Sequence, residues 1–121
     1  MVDAVILVRE FALNYLKPGV LLKDYEQAVE KVMGKQLQKL GLLKKPHHHA
    51  IRYYYPHATS HFLGLDVHDV GDYKQPLQEN MVITVEPGIY IPEESIGVRL
   101  EDDILITKDG AQVLSADLPL T

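Results

Sequence analysis

Between His57 and Glu101 the chain gathers imidazoles, carboxylates and one guanidinium in four short runs: His57-Ala58-Thr59-Ser60-His61, Val67-His68-Asp69, Thr84-Val85-Glu86-Pro87-Gly88 and Val98-Arg99-Leu100-Glu101. Imidazole nitrogens and carboxylate oxygens are the donors that hold divalent cations, and a cation so held polarises carbonyls and lowers the pKa of water. The runs therefore read as part of a metal-dependent hydrolytic site. They contain too few carboxylates for two divalent ions, and the preceding segment offers no obvious supply. The reading is of half an active site.

Strand periodicity puts Thr84 and Glu86 on one face, and Arg99, Glu101 and Asp103 on one face of a later strand. If those strands pair, Glu86 and Glu101 stand side by side and repel unless a cation lies between them, one keeps a proton, or Arg99 compensates. A solvated or salt-bridged sheet face is the plainer account of a lone Glu-Arg pair, but the strongly apolar flanking runs weigh against it. His61 and His68 are seven positions apart across a segment containing Gly64, a spacing that does not by itself define a zinc pair. A single histidine is more often a hydrogen-bonded core or surface residue than a ligand. His47, His48 and His49 read as a solvent-facing loop that picks up metal adventitiously. Asp66, Asp69, Asp72 and Asp102 read as turn-forming or hydrogen-bonded carboxylates near a site, not as ligands.

These runs need elements to position them. Ala4, Val8, Phe11 and Tyr15 recur at near-helical spacing and predict a helix over residues 3–16, with Asp3 as its cap and Lys17-Pro18-Gly19 as its stop. A second helix is expected to start near Asp24, with Gln27 reaching back in a capping box. It carries Tyr25, Val29, Val32, Met33, Leu37 and Leu40 inward and ends at Gly41. Gly34 lies inside it, where glycine costs up to about 1 kcal/mol relative to alanine, and is expected to permit a close helix-to-sheet contact. Residues 44–55 read as a loop leading into extended structure. Residues 81–85 form a short apolar strand, residues 98–107 alternate as a second, and an Asp109-Gly110 turn leads to a last strand over 111–115. The expected fold class is α+β, with two helices packed on one face of a mainly antiparallel sheet.

Composition narrows the function. The 121 residues suit a single domain, with 46% hydrophobic and 24% charged residues and no apolar run long enough to span a bilayer. A net charge of -5 argues against a nucleic-acid partner. The chain has no cysteine, which excludes disulfides and thiolate zinc sites, and its amino terminus does not read as a signal peptide. A cytoplasmic setting is expected.

Taken in order, His57, His61, His68, Glu86, Tyr90, Arg99 and Glu101 resemble the carboxyl-terminal half of the pita-bread metallopeptidases, particularly the Xaa-Pro aminopeptidases (aminopeptidase P) and Xaa-Pro dipeptidases (prolidases). The likeness covers nearly the whole chain and is most specific in the run from His57 through His68 to Asp69, in Val85-Glu86-Pro87-Gly88-Ile89-Tyr90, and in Val98-Arg99-Leu100-Glu101-Asp102-Asp103. It implies that His61, Glu86 and Glu101 ligate metal, with Glu86 also serving proton transfers and Glu101 bridging two ions. It implies that His57 and His68 line the substrate pocket, His68 contacting substrate during turnover, and that Tyr90 and Arg99 orient the metal-bound carboxylates. The family uses two divalent ions, commonly manganese, to activate water against the peptide bond before proline.

The family's other two ligands are aspartates in a segment resembling Asp-x-Thr-Arg-Thr, in the half that precedes this one. Asp3 lies too close to the first helix to replace them. The expectation is a single partial catalytic domain over residues 1–121, a fragment inactive alone, with a non-catalytic peptide-binding module as the alternative. Methionine aminopeptidase fits less well, because Leu65-Asp66-Val67-His68-Asp69 and Arg99-Leu100-Glu101-Asp102-Asp103 look more like the proline-specific branch. An isolated half of this fold leaves apolar surface and a sheet edge uncovered, and a homodimer is expected.

Overall fold

The computed structural model describes residues 1–62 and 75–114. Helix α1 (Val2–Tyr15) turns Ala4, Val5, Val8 and Ala12 into the core, and Arg9 is buried with them. Asp3 lies in the first turn, where its charge suits the helix dipole, but Met1 occupies the cap position and no side chain caps the helix. The chain leaves the helix at Leu16 in an extended conformation, and the turn beyond it passes Gly19 at φ 93°.

Helix α2 (Leu22–Lys39) starts two residues earlier than Asp24 would place it, and no side-chain cap forms, so the expected capping box is absent. Tertiary burial of Leu22, Tyr25, Val29, Met33 and Leu37 decides where it runs. Gly34 does permit a close approach, but of a helix and not of a sheet. A Cβ there would stand 2.8 Å from Ile51 Cδ1 and 2.9 Å from Pro46 Cβ. Ile51 is the buried residue of a third helix, α3 (His48–Tyr54), where the sequence pattern suggests only a loop. Seven residues with no side-chain cap are too few to show periodicity, and packing against α2 holds them helical.

The strands are β1 (Val82–Val85), β2 (Gly88–Ile91), β3 (Ile96–Arg99), β4 (Asp102–Ile106) and β5 (Ala111–Val113). They form two antiparallel sheets, one ordered β1-β4-β5 and the other β2-β3. The expected continuous strand over 98–107 is thus two strands, and Ser115, the expected end of the last, lies outside the described residues. The break has a cause: β1 and β4 pair as far as Val85 and Asp102, and β2 and β3 take over at Gly88 and Arg99. Pro87, lacking an N–H, sits in the gap on one side, and the Leu100 N–H donates to its carbonyl from the other at 3.2 Å. Glu86 and Glu101 are the other two residues of this double break.

Helices α1 and α2 share one core with Ile83, Val85, Ile104 and Ile106 of the three-stranded sheet. The free side of β1 is lined by residues 59–62. The Thr84 N–H donates to the His61 carbonyl at 2.9 Å, the Glu86 N–H donates to the Thr59 carbonyl at 2.7 Å, and Phe62 bridges to Ile83.

Candidate active site

The segment from His57 to His61 belongs to no helix or strand, so its backbone must be held from outside. Helix α2 supplies one side: the Thr59 and Ser60 N–H groups donate to the Glu26 carboxylate at 2.9–3.1 Å, and the Tyr25 and Ser60 hydroxyls share a hydrogen bond of 2.8 Å. Strand β1 supplies the other, and the His61 N–H adds a bond to Thr84 Oγ1 at 3.0 Å. Arg52 of α3 donates to the carbonyls of Tyr55 and His57 at 3.1 and 2.9 Å, and Tyr55 pairs with the Thr59 hydroxyl. None of these anchors shows in the sequence as a site residue, because each acts across a fold contact and not within a local run.

So held, each histidine ring in its neutral form has one tautomer that fits its partners. A carbonyl oxygen accepts and never donates. His57 Nδ1–H therefore donates to the Ala58 carbonyl at 2.9 Å, and His57 Nε2 accepts from the Tyr90 hydroxyl at 2.8 Å. His61 Nδ1–H donates to the Phe62 carbonyl at 3.1 Å, which leaves Nε2 as the nitrogen with the lone pair. That nitrogen lies 3.7 Å from Glu86 Oε2. The separation is too long for a hydrogen bond, and suits two atoms that share a cation through bonds of about 2.0–2.2 Å.

Glu86 stands at the end of β1 with its side chain 13% exposed. Burial, then the nearby Glu101 carboxylate, push its carboxyl above the ordinary range, while His61, His57 and Arg99 pull the other way. Glu86 and Glu101 thus do come together: the register of β1 with β4 continues through the double break into that of β2 with β3, and it sets Glu86 opposite Glu101. Glu101 is more exposed, and its Oε1 lies 3.8 Å from Arg99 Nη2. The Tyr90 hydroxyl is directed to His57, and its ring rests against the Cα positions of Gly88 and Gly97.

The structure brings His57, His61, Glu86, Tyr90, Arg99 and Glu101 to one region; His68, Asp66, Asp69 and Asp72 lie outside the described residues. His48 is not an unattached loop residue: it starts α3 and its Nδ1 lies 2.8 Å from Glu30 Oε1. Asp102 is hydrogen-bonded and buried, its Oδ2 accepting from Arg9 Nε at 2.7 Å. The donor chemistry of His61, Glu86 and Glu101, one imidazole and two carboxylates, fits zinc or manganese. Their present spacing fits less completely: among the described residues no three His, Asp or Glu side chains are grouped closely enough to hold an ion. His61 and Glu86 lie 3.7 Å apart, and Glu101 stands near enough to Glu86 to raise its pKa.

The sequence pattern of metallopeptidase family M24 matches residues 1–108. The chain belongs to that family. It is 41% identical over 131 aligned positions to Xaa-Pro aminopeptidase 3 of Rattus norvegicus, covering 97% of this chain and 26% of the relative. It is 40% identical to Xaa-Pro aminopeptidase of Haemophilus influenzae, covering 97% of this chain and 31% of the relative. Among solved structures it superposes on E. coli aminopeptidase P, described with the inhibitor Pro-Leu and, zinc-substituted, with product. Both superpose at a TM-score of 0.84 and 38% identity, covering 98% of this chain and 31% of the other. The M24 chain described here therefore has the α+β pita-bread architecture of aminopeptidase P, and spans under a third of the length of these relatives.

Proposed function

We propose that this chain forms part of the active site of a metal-dependent aminopeptidase that hydrolyses the peptide bond before proline. The observation that carries the proposal is the His61 Nε2 lone pair facing Glu86, a carboxylate whose burial and whose neighbour Glu101 call for a positive charge. His61, Glu86 and Glu101 would hold the metal, two divalent ions with manganese the first candidate, completed by two aspartates from outside this chain. When bound, such ions lower the pKa of water and polarise the substrate carbonyl. Glu86, least comfortable as an anion, suits the proton transfers. His57, fixed by Tyr90, lines the pocket with His68, which contacts the substrate in this reading, and Arg99 steadies Glu101.

The test is a manganese titration of the 121-residue chain followed by line broadening of histidine NMR signals. Selective broadening of His61, lost in His61→Ala and Glu86→Ala, is expected. Binding that survives both changes would overturn the assignment. With two ligands lacking, the chain alone is expected to leave Xaa-Pro peptides uncut, while in a complete enzyme Glu101→Ala abolishes dinuclear metal binding and His68→Ala slows turnover with metal retained.

A second reading, a non-catalytic peptide-binding module, is favoured by the absence of a three-donor cluster among the described residues. Saturable binding of an Xaa-Pro peptide without manganese would select it. In either case we propose a homodimer in a cytoplasmic setting. Exposed Leu7, Leu40, Ile96 and Leu114 support the association, and light scattering tests it. No described helix is long and apolar enough to cross a membrane.

A further inference from the structure

We infer that Glu26, on α2 and outside the ligand set, is a positioning residue for the site. Its carboxylate sets the path of residues 59–61, and through that path the direction in which His61 faces Glu86. The inference deepens the reading of His61 and Glu86 as a ligand pair and rests on it for its functional meaning.

Both Glu26 oxygens accept the Thr59 N–H, at 2.9 and 3.0 Å, and one of them accepts the Ser60 N–H at 3.1 Å. Thr59 and Ser60 are almost fully buried, so without this carboxylate two amides would lie in the interior with no acceptor of comparable strength. The same Thr59 is gripped from the opposite side, its carbonyl accepting the Glu86 N–H at 2.7 Å. One residue thus stands between the Glu26 carboxylate and the Glu86 backbone. Two positions on, the His61 carbonyl accepts from the Thr84 N–H and the His61 N–H donates to Thr84 Oγ1. The segment is clamped between α2 and β1, and Glu26 is the charged jaw on the α2 side. Tyr25, beside it, adds only a hydroxyl contact to Ser60.

The experiment uses the isotope-labelled 121-residue chain and the variants Glu26→Ala and Glu26→Gln, read by amide exchange and by imidazole nitrogen spectra. In Glu26→Ala, the Thr59 and Ser60 amides should exchange about tenfold to a hundredfold faster, the loss expected for hydrogen bonds to a charged acceptor. The His61 ring should pass from the Nδ1–H tautomer to a mixture of both, while the amides of α1 and β4 keep their positions. Glu26→Gln, which retains one carbonyl acceptor, should fall between. If Glu26→Ala loses its fold, Glu26→Gln decides: a changed His61 ring spectrum supports the inference and an unchanged one overturns it. Released amides with an unchanged His61 ring also overturn it, since Glu26 would then merely cover backbone. Manganese separates this from the parent reading. Broadening at His61 in the unaltered chain, with ring spectra the same in every variant, sinks the positioning role alone. Absence of broadening sinks the ligand assignment, while the ring spectra still decide the role of Glu26.

Discussion

Arg9 Nε donates a 2.7 Å hydrogen bond to Asp102 Oδ2 across 93 positions of sequence, and both side chains are buried. The pair ties α1 to the first residue of β4, next to Glu101. Removing one member of a buried pair leaves the other charge poorly compensated, so Arg9→Met should cost about 3–5 kcal/mol in denaturant unfolding. Arg9→Met combined with Asp102→Leu should cost less than the sum of the single changes, with a coupling of about 1–3 kcal/mol. Strict additivity would show that the contact is energetically idle.

Gly34 is where α2 and α3 touch. Alanine would favour the helix by up to about 1 kcal/mol, yet its Cβ would fall within 2.9 Å of both Ile51 Cδ1 and Pro46 Cβ. The Ile51 tip can swing aside; the proline ring cannot do so without moving backbone. Gly34→Ala should therefore lower stability by about 1–2 kcal/mol net, and Ile51→Val on top of it should recover only part. Urea midpoints of the three variants measure this.

Gly97 faces Tyr90 across β2 and β3, and a Cβ at Gly97 would meet Tyr90 Cδ1 at 2.7 Å. Gly97→Ala should displace the ring and break the Tyr90 bond to His57 Nε2, although Gly97 itself carries no chemistry. The expected result is a destabilisation of about 1–3 kcal/mol from overpacking. It should come with a change in the His57 imidazole spectrum that Tyr90→Phe reproduces without the stability loss. An unaltered His57 spectrum in Gly97→Ala would show that the ring relaxes elsewhere.

Tyr53 of α3 donates its hydroxyl to Glu93 in the 3-10 turn Pro92–Glu94 between β2 and β3. That bond holds the Glu93 carboxyl below its ordinary value of 4.5. A carboxyl lowered by folding contributes stability above its unfolded value, and the contribution is lost as pH falls through the folded one. Tyr53→Phe should therefore be less stable than the parent at neutral pH, with the gap closing in acid. Glu93 should titrate closer to its ordinary range in the variant, with its backbone hydrogen bond still lowering it, followed by carboxyl carbon shifts.

Much of the site was legible as a list of residues. The residue types of four short runs, and their resemblance to the metallopeptidase pattern, marked His57, His61, Glu86, Arg99 and Glu101 as candidates, and the structure gathers them in one region. Less legible was the means of gathering. Glu86 and Glu101 are opposed in one continuing register, but they lie in a break at Pro87 and Leu100 where the strands pass from one sheet to the other. Alternation over 98–107 concealed this, because side-chain period continues through a break that only backbone partners create. Helix α3 was missed for a related reason: its seven residues are helical because Ile51 packs beside Gly34, a contact outside any local window.

By itself the sequence determined the types of donor available, the amphipathic faces of α1 and α2 and the α+β class, because each depends on residue identity at short periodic intervals. Tertiary structure alone decided which nitrogen of His61 is engaged by the backbone and which faces Glu86. The Phe62 carbonyl occupies Nδ1, and the opposing grips of Glu26 and Glu86 on Thr59 hold the segment in which this happens. A tautomer is chosen by the acceptor a folded backbone presents, and a list of residues does not contain that direction.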